Sequence, residues 1–282
     1  MTLKWDGHTH TRFCYHGNDA ELTDYVNRAI GLGFTRYSVT EHPPLPDGWI
    51  KDEKLMAELA MPVNQLPDYI SYVQQMKLRY EGQIELTVGL EMDYLYEMES
   101  FSNNLLEPYK EVVEDAVVSV HYLPADGGMY CIDYTADNFR QNLLASYGSM
   151  DSVAEAYFDH VEKAITWAAT LPMRKRLGHP LLIEKFSRDL PTISESLIRR
   201  RLEGIVGLLK TSGVGVDVNT AGLRVPSCGK AYAPAWFIRM CQAQGIELVY
   251  GSDSHKPEQV GFGWDWFQRA IDGNEPEDAD RS

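Results

Sequence analysis

The chain has 282 residues, 44% of them apolar and 24% charged, with a formal net charge of −15. That length suits one large α/β domain or two small ones, and the acidic balance argues against nucleic acid as a partner, since duplex binding draws on clustered Lys and Arg. No window approaches the roughly 18 uninterrupted apolar residues of a membrane span, and the first six residues lack the apolar core of a secretory signal.

Short β-rich runs alternate with helical stretches along the chain. The expected strands are residues 4–7, 35–40, 85–90, 116–120, 176–178, 214–218 and 247–250. Between them, apolar residues recur three and four apart, as in Leu22, Val26, Ala29 and Ile30, and again in Leu202, Ile205, Val206 and Leu209. A third such stretch, with Trp236, Ile238, Met240 and Cys241, follows Ala233-Pro234. This alternation predicts a parallel sheet covered by helices, and closing it into a barrel puts the reactive side chains at the C-terminal ends of several strands. Two insertions break the rhythm: residues 43–66, rich in proline, and residues 122–149, with the turn signal Asp126-Gly127-Gly128 followed by Tyr130 and Tyr134. Both leave strand ends, so they are expected to wall a pocket. Residues 1–273 read as a single domain and residues 274–282 as an acidic, frayed tail. The cysteines Cys14, Cys131, Cys228 and Cys241 form no Cys-x-x-Cys pair and are expected to be reduced thiols in a cytoplasmic protein.

The chemistry is concentrated at the strand ends. In Trp5-Asp6-Gly7-His8-Thr9-His10 a strand would point both imidazoles to one face. Glu41-His42, Glu91, His121, His179 and Asp253-Ser254-His255 each close another apolar run. An isolated strand-end histidine is structural more often than not, by roughly three to one, but six of the eight histidines fall at such positions. His16 lies in the first βα loop, and His160 sits mid-helix, where a solvated side chain is expected. With Glu91 and Asp253 the set points to a multinuclear metallohydrolase. Nitrogen and oxygen donors without thiolate suit Zn, Mn or Fe(II). Glu41 is either an acceptor orienting an imidazole or a plain strand-end charge, and Cys14 is a packed thiol.

Taken in order, D-G-H-T-H-T at residues 6–11, F-C-Y-H-G at 13–17, T-E-H at 40–42, G-L-E at 89–91, S-V-H at 119–121, L-G-H-P at 177–180, N-T-A-G-L-R at 219–224 and G-S-D-S-H at 251–255 resemble the PHP (polymerase and histidinol phosphatase) family, in particular its histidinol-phosphate phosphatase branch. The resemblance runs from His8 to Phe262 and implies a distorted (β/α)7 TIM-like barrel with a trinuclear site at the C-terminal ends of the strands. It further implies that His8, His10, Glu91 and Asp253 hold one divalent ion, that Glu91 bridges to a second held by His121 and His179, and that His16, His42 and His255 hold the third. The implied reaction is hydrolysis of L-histidinol phosphate in histidine biosynthesis, by water activated on the ions, with Asp253, His255 and Glu91 at the reacting centre.

Three divalent ions less Glu91, Asp253 and one hydroxide would leave about three positive charges to draw a phosphate monoester into an acidic protein. Arg224 is the expected phosphate clamp, because a guanidinium can grip phosphate oxygens in pairs. Lys185 and Ser254 are further candidates, with Arg188 beside Lys185. Arg174, Lys175 and Arg176 precede their strand and read as surface charge. Asp253 is a candidate proton donor to the leaving group, and Tyr94, Tyr122, Tyr130 and Asp133 are candidates for the imidazole and amine ends of the substrate. Other readings of the same residues are a phosphoesterase for another phosphomonoester or a nucleotide, an amidohydrolase-type deaminase, and a metal-binding protein without catalysis. A monomer or a homodimer is compatible with the sequence.

Overall fold

The computed structural model describes residues 3–274. Seven parallel strands form one sheet: β1 (Trp5–Asp6), β2 (Arg36–Glu41), β3 (Glu85–Asp93), β4 (Asp115–Ser119), then, past the hairpin strands β5 (Tyr122–Ala125) and β6 (Gly128–Cys131), β7 (Arg174–Leu177), β8 (Gly215–Asn219) and β9 (Leu248–Gly251). Spatial order follows chain order, β1-β2-β3-β4-β7-β8-β9. The ends of this sheet meet. Gly7 donates its N–H to the Tyr250 carbonyl at 2.8 Å, Asp253 donates to His8 at 2.8 Å, and His10 donates to Ser254 at 3.0 Å. The result is the expected distorted (β/α)7 barrel, closed between β9 and β1 by these few hydrogen bonds.

Alternation along the strands separates two environments. On β3, Leu86, Val88, Leu90 and Met92 face the helix-covered core, whereas Glu91 and Asp93 point into the barrel mouth, where they meet His179 and His121. The helix Leu22–Gly31 buries Leu22, Tyr25, Val26 and Ala29 against the sheet. The long helix Met150–Ala168 starts at Ser149, whose side chain accepts from the Ser152 N–H, and the helix Glu195–Ser212 stops at Gly213 in the left-handed region.

Arg176 corrects the sequence reading. It is not surface charge but the largest fully buried side chain, lying inside the barrel with its guanidinium 4.9 Å from the Trp5 ring. Register explains this: Arg174, Lys175 and Arg176 pair with Asp115, Ala116 and Val117 of β4, within the sheet rather than before it. His160 is likewise not solvated. It is 6% exposed, donates from Nδ1 to the Ala156 carbonyl at 2.7 Å and packs on Tyr96 and Tyr94.

Both insertions carry structure of their own. Residues 43–66 contain the helix Glu53–Leu59, capped by Asp52, and residues 122–149 contain the β5–β6 hairpin that turns at Asp126-Gly127. A small apolar cluster joins them: Leu45, Trp49, Ile50 and Leu55 from the first, Tyr122 and Cys131 from the second, with Leu95 between. The two insertions thus make a wall over one side of the barrel mouth. The acidic-tail expectation falls, from residue 275 onward, outside the described residues.

Candidate metal centre

At the C-terminal mouth of the barrel five imidazoles converge on one carboxylate. Glu91 Oε2 lies 3.0 Å from His8 Nε2, 3.3 Å from His10 Nε2 and 3.5 Å from His42 Nε2. Its Oε1 lies 2.8 Å from His179 Nε2 and 3.4 Å from His121 Nε2, and accepts from the Ser119 hydroxyl at 2.7 Å. Asp253 Oδ1 is 3.3 Å from His10 Nε2 and 3.9 Å from His8 Nε2. His16 and His255 face each other at the rim, Nε2 to Nε2, at 3.1 Å. All nine expected ligands are therefore drawn to one mouth, although they come from six strands.

The rings are held by partners on their far sides. His8 Nδ1 donates to Asp217 at 2.8 Å, His10 Nδ1 to Glu41 at 3.1 Å and His121 Nδ1 to Asp93 at 2.6 Å. His16 Nδ1 donates to the Glu58 carbonyl and His255 Nδ1 to the Asp253 carbonyl. Each of these bonds leaves the Nε2 lone pair aimed at the centre. Glu41 is thus an orienting acceptor, bound also by the Thr11 N–H and hydroxyl. Asp93 and Asp217 were missed in the sequence, although Asp93 sits two residues from Glu91 and so shares its face.

The donor set fits divalent cations. His8 Nε2 and His10 Nε2 are buried and make no hydrogen bond, which is costly for a polar atom without a partner. In their neutral forms His16 and His255 direct two lone pairs at each other, an arrangement that a shared cation relieves. Ligand atoms of His8, His10 and Glu91, and again of Glu91, His121 and His179, lie within 4.8 Å of one another. So do those of His10, His42, His255 and Cys14, but burial pushes the Cys14 thiol well up, which keeps it protonated.

Electrostatics follow from the crowding. Burial disfavours the Glu91 charge, yet His8, His42 and His121 outweigh it and hold this carboxyl well below the usual range. Burial lowers His121, but Asp93 and Glu91 push it up to about 9. Burial, reinforced by neighbouring histidines, pushes His42 and His255 down. Two site residues have positive backbone φ, His179 (22°) and Asp253 (51°), a strained conformation that persists only where surroundings enforce it. Gly251 leaves room for this end of β9: a Cβ there would collide with the Asp217 carboxylate and His8.

A cavity of about 400 Å³ opens above the cluster, a size suited to a small molecule. Leu55 and Glu58 of the first insertion and Tyr122, Asp133 and Tyr134 of the second line it, with Lys185, Arg224 and Tyr232 opposite. Lys185 is ion-paired to Asp133 at 2.9 Å. The Arg224 guanidinium is already engaged, donating to the carbonyls of Ser252 (2.7 Å) and Asp253 (2.5 Å). Three expectations are corrected. Ser254 is fully buried and does not line the cavity, so it is not placed to meet phosphate. Tyr94 is buried against Glu99, and Tyr130 bonds the Asp126 carbonyl; neither lines the cavity.

Fold and site together define a (β/α)7 barrel built to hold divalent metal at its mouth. Residues 6–221 match the PHP domain, and the chain belongs to that family. It is 33% identical over 264 residues to the histidinol-phosphatase of Bacillus subtilis (strain 168), spanning 94% of this chain and 98% of that one. Its structure matches a provisional histidinol phosphatase, HisK, from Listeria monocytogenes with a TM-score of 0.88 and 32% identity, covering 94% of this chain and all of that one. The histidinol phosphate phosphatase of Lactococcus lactis, crystallised with Zn, L-histidinol and phosphate, shares the fold at 17% identity and a TM-score of 0.72, over 96% and 94% of the two chains.

Proposed function

We propose that this chain is a metal-dependent phosphomonoesterase that hydrolyses L-histidinol phosphate to L-histidinol and phosphate. The observation that carries the chemistry is Glu91, whose two oxygens are each approached by separate groups of imidazoles. The substrate rests on full-length similarity to the Bacillus histidinol-phosphatase. In this reading His8, His10, Glu91 and Asp253 hold one ion, Glu91, His121 and His179 a second, and His16, His42 and His255 a third. Bound there, divalent ions supply Lewis acidity toward phosphate oxygens and lower the pKa of water to about 7.

The protein's own groups do the rest. Glu91 and Asp253 stay ionised, because the histidines around them outweigh the cost of burial. Asp253 is therefore a poor proton donor to the leaving group, and nearby cations would depress it further. Lys185 meets the phosphate, while Tyr122, Tyr134 and Tyr232 wall the imidazole end and Asp133 faces the amine. The local charge differs from the simple sum over ions and ligands. Asp93, Asp217 and Glu41 add three carboxylates directly behind the imidazoles, so three divalent ions would leave the cluster near neutral. Attraction of phosphate then depends on the ions lying nearer to it than those carboxylates do.

Phosphate release from L-histidinol phosphate, measured beside other phosphomonoesters with metal content determined on the same sample, tests this reading. Preference for L-histidinol phosphate with about three ions per chain supports it. Equal turnover of the other esters would leave a phosphatase of different substrate, and no release from metal-loaded protein would refute the function.

A further inference from the structure

Strand β8 stands apart from its neighbours. Each of the other six barrel strands ends in at least one expected metal ligand, whereas β8 ends in Val216-Asp217-Val218-Asn219. Val216 and Val218 face the helix-covered core, so Asp217 and Asn219, two apart, share the inward face at the barrel mouth. Both are fully buried.

We propose that Asp217 and Asn219 are positioning residues that fix three metal ligands from three different strands. The proposal rests on the ligand assignment made above for His8, His179 and Asp253. Asp217 Oδ2 accepts from His8 Nδ1 at 2.8 Å, from the His179 backbone N–H at 3.3 Å and from Asn219 Nδ2 at 3.2 Å. Asn219 Oδ1 accepts the Ala221 N–H at 2.9 Å, which settles the amide's orientation and turns its NH2 toward the two carboxylates. Nδ2 also donates to Asp253 Oδ2 at 3.2 Å.

Each contact has a consequence for the site. Asp217 sets the His8 tautomer, so that Nε2 carries the lone pair facing Glu91. Its hold on the His179 N–H restrains a residue whose φ of 22° it would not otherwise keep. Asn219 occupies one oxygen of Asp253 and leaves Oδ1, the atom nearer His8 and His10, as the donor to an ion. β8 therefore contributes to the centre by orienting the ligands on β1, β7 and β9 rather than by supplying one.

The test compares wild type, Asp217→Asn and Asn219→Ala, each loaded with Zn²⁺ or Mn²⁺. Bound metal and its rate of transfer to a chromogenic chelator are measured beside kcat and KM. Outer partners of metal ligands contribute about 10–100-fold in affinity. We expect metal to leave Asp217→Asn faster by about that factor, and kcat to recover when excess metal is added, with KM little changed. Asn219→Ala should also lose metal faster while remaining folded, and it decides the matter should Asp217→Asn fail to fold. Metal transfer at the wild-type rate in a folded variant, or lost activity that excess metal does not restore, would overturn the proposal. Wild type that binds no divalent ion would overturn the metal centre with it. Wild type that binds ions without cleaving L-histidinol phosphate would overturn only the function proposed above.

Discussion

Arg176 and Asp115 form a two-pronged ion pair sealed inside the barrel beneath the histidine cluster. Nη1 lies 2.6 Å from Asp115 Oδ1 and Nη2 3.0 Å from Oδ2, and Nη2 also donates to the Gly7 carbonyl at 2.7 Å. Ser38 donates its hydroxyl to the same carboxylate and accepts from the Trp5 indole N–H. The network joins β7, β4, β2 and β1 below the turn that carries His8.

Removing one member of a buried pair leaves an unpaired charge, at a cost of about 3–5 kcal/mol. Arg176→Met should lower stability by that amount in urea unfolding of the metal-free protein. Arg176→Met with Asp115→Leu should recover part of it, because the desolvation cost of both charges disappears. A single variant as stable as wild type would show that the pair does not brace the barrel.

His160 offers a stability readout that spares the site. Truncation to Ala should cost about 1–3 kcal/mol for lost packing on Tyr94 and Tyr96, with kcat and KM unchanged. Burial lowers the His160 pKa below its ordinary value of 6.5. The unfolded chain therefore binds the proton more readily, and the stability from a neutral His160 is present above pH 6.5 and declines as pH falls through it. Unfolding curves of His160→Phe should slope less steeply with pH just below 6.5 than those of wild type; parallel curves would contradict this.

Arg224 should act through Asp253 rather than by gripping phosphate. Its terminal nitrogens donate to the Ser252 and Asp253 carbonyls, across a residue with φ of 51°. Arg224→Ala should lower kcat by about 10–100-fold and weaken metal retention, with KM for the phosphate ester changed little. A rise in KM at constant kcat and full metal content would restore the phosphate-clamp role.

Metal uptake should release protons. In the metal-free protein burial lowers His121, but Asp93 and Glu91 outweigh it and raise its pKa to about 9, so at pH 7.5 it carries a proton that an ion must displace. Affinity should fall as pH drops from 9 toward 6. Calorimetric titration of Zn²⁺ into chelator-stripped protein, in two buffers of different ionisation enthalpy, measures the protons directly; heats independent of buffer would show that none is released.

The convergence of the candidate ligands at the barrel mouth was legible in the sequence because the rules that place them are local. Period-two alternation put His8 and His10 on one face, and a histidine or acid closing an apolar run is a strand end wherever that strand lies. The barrel followed from alternating periods, since parallel strands joined by helices have few ways to close. The roles of Asp93, Asp217, Asn219 and Arg176 were hidden for the opposite reason. Each is an ordinary polar residue in its own segment, and its role depends on a partner far along the chain: His8 and Asp217 are 209 residues apart, Arg176 and Gly7 169. His160 shows the same limit in reverse. Its helix was evident, but which face met Tyr94 and Tyr96 depended on a loop elsewhere. Sequence alone thus determined the kind of fold and the donor atoms offered to metal. Only tertiary structure decided which nitrogen of each ring faces the centre and which charges are buried behind it, because hydrogen bonds and desolvation depend on distance in space rather than spacing along the chain.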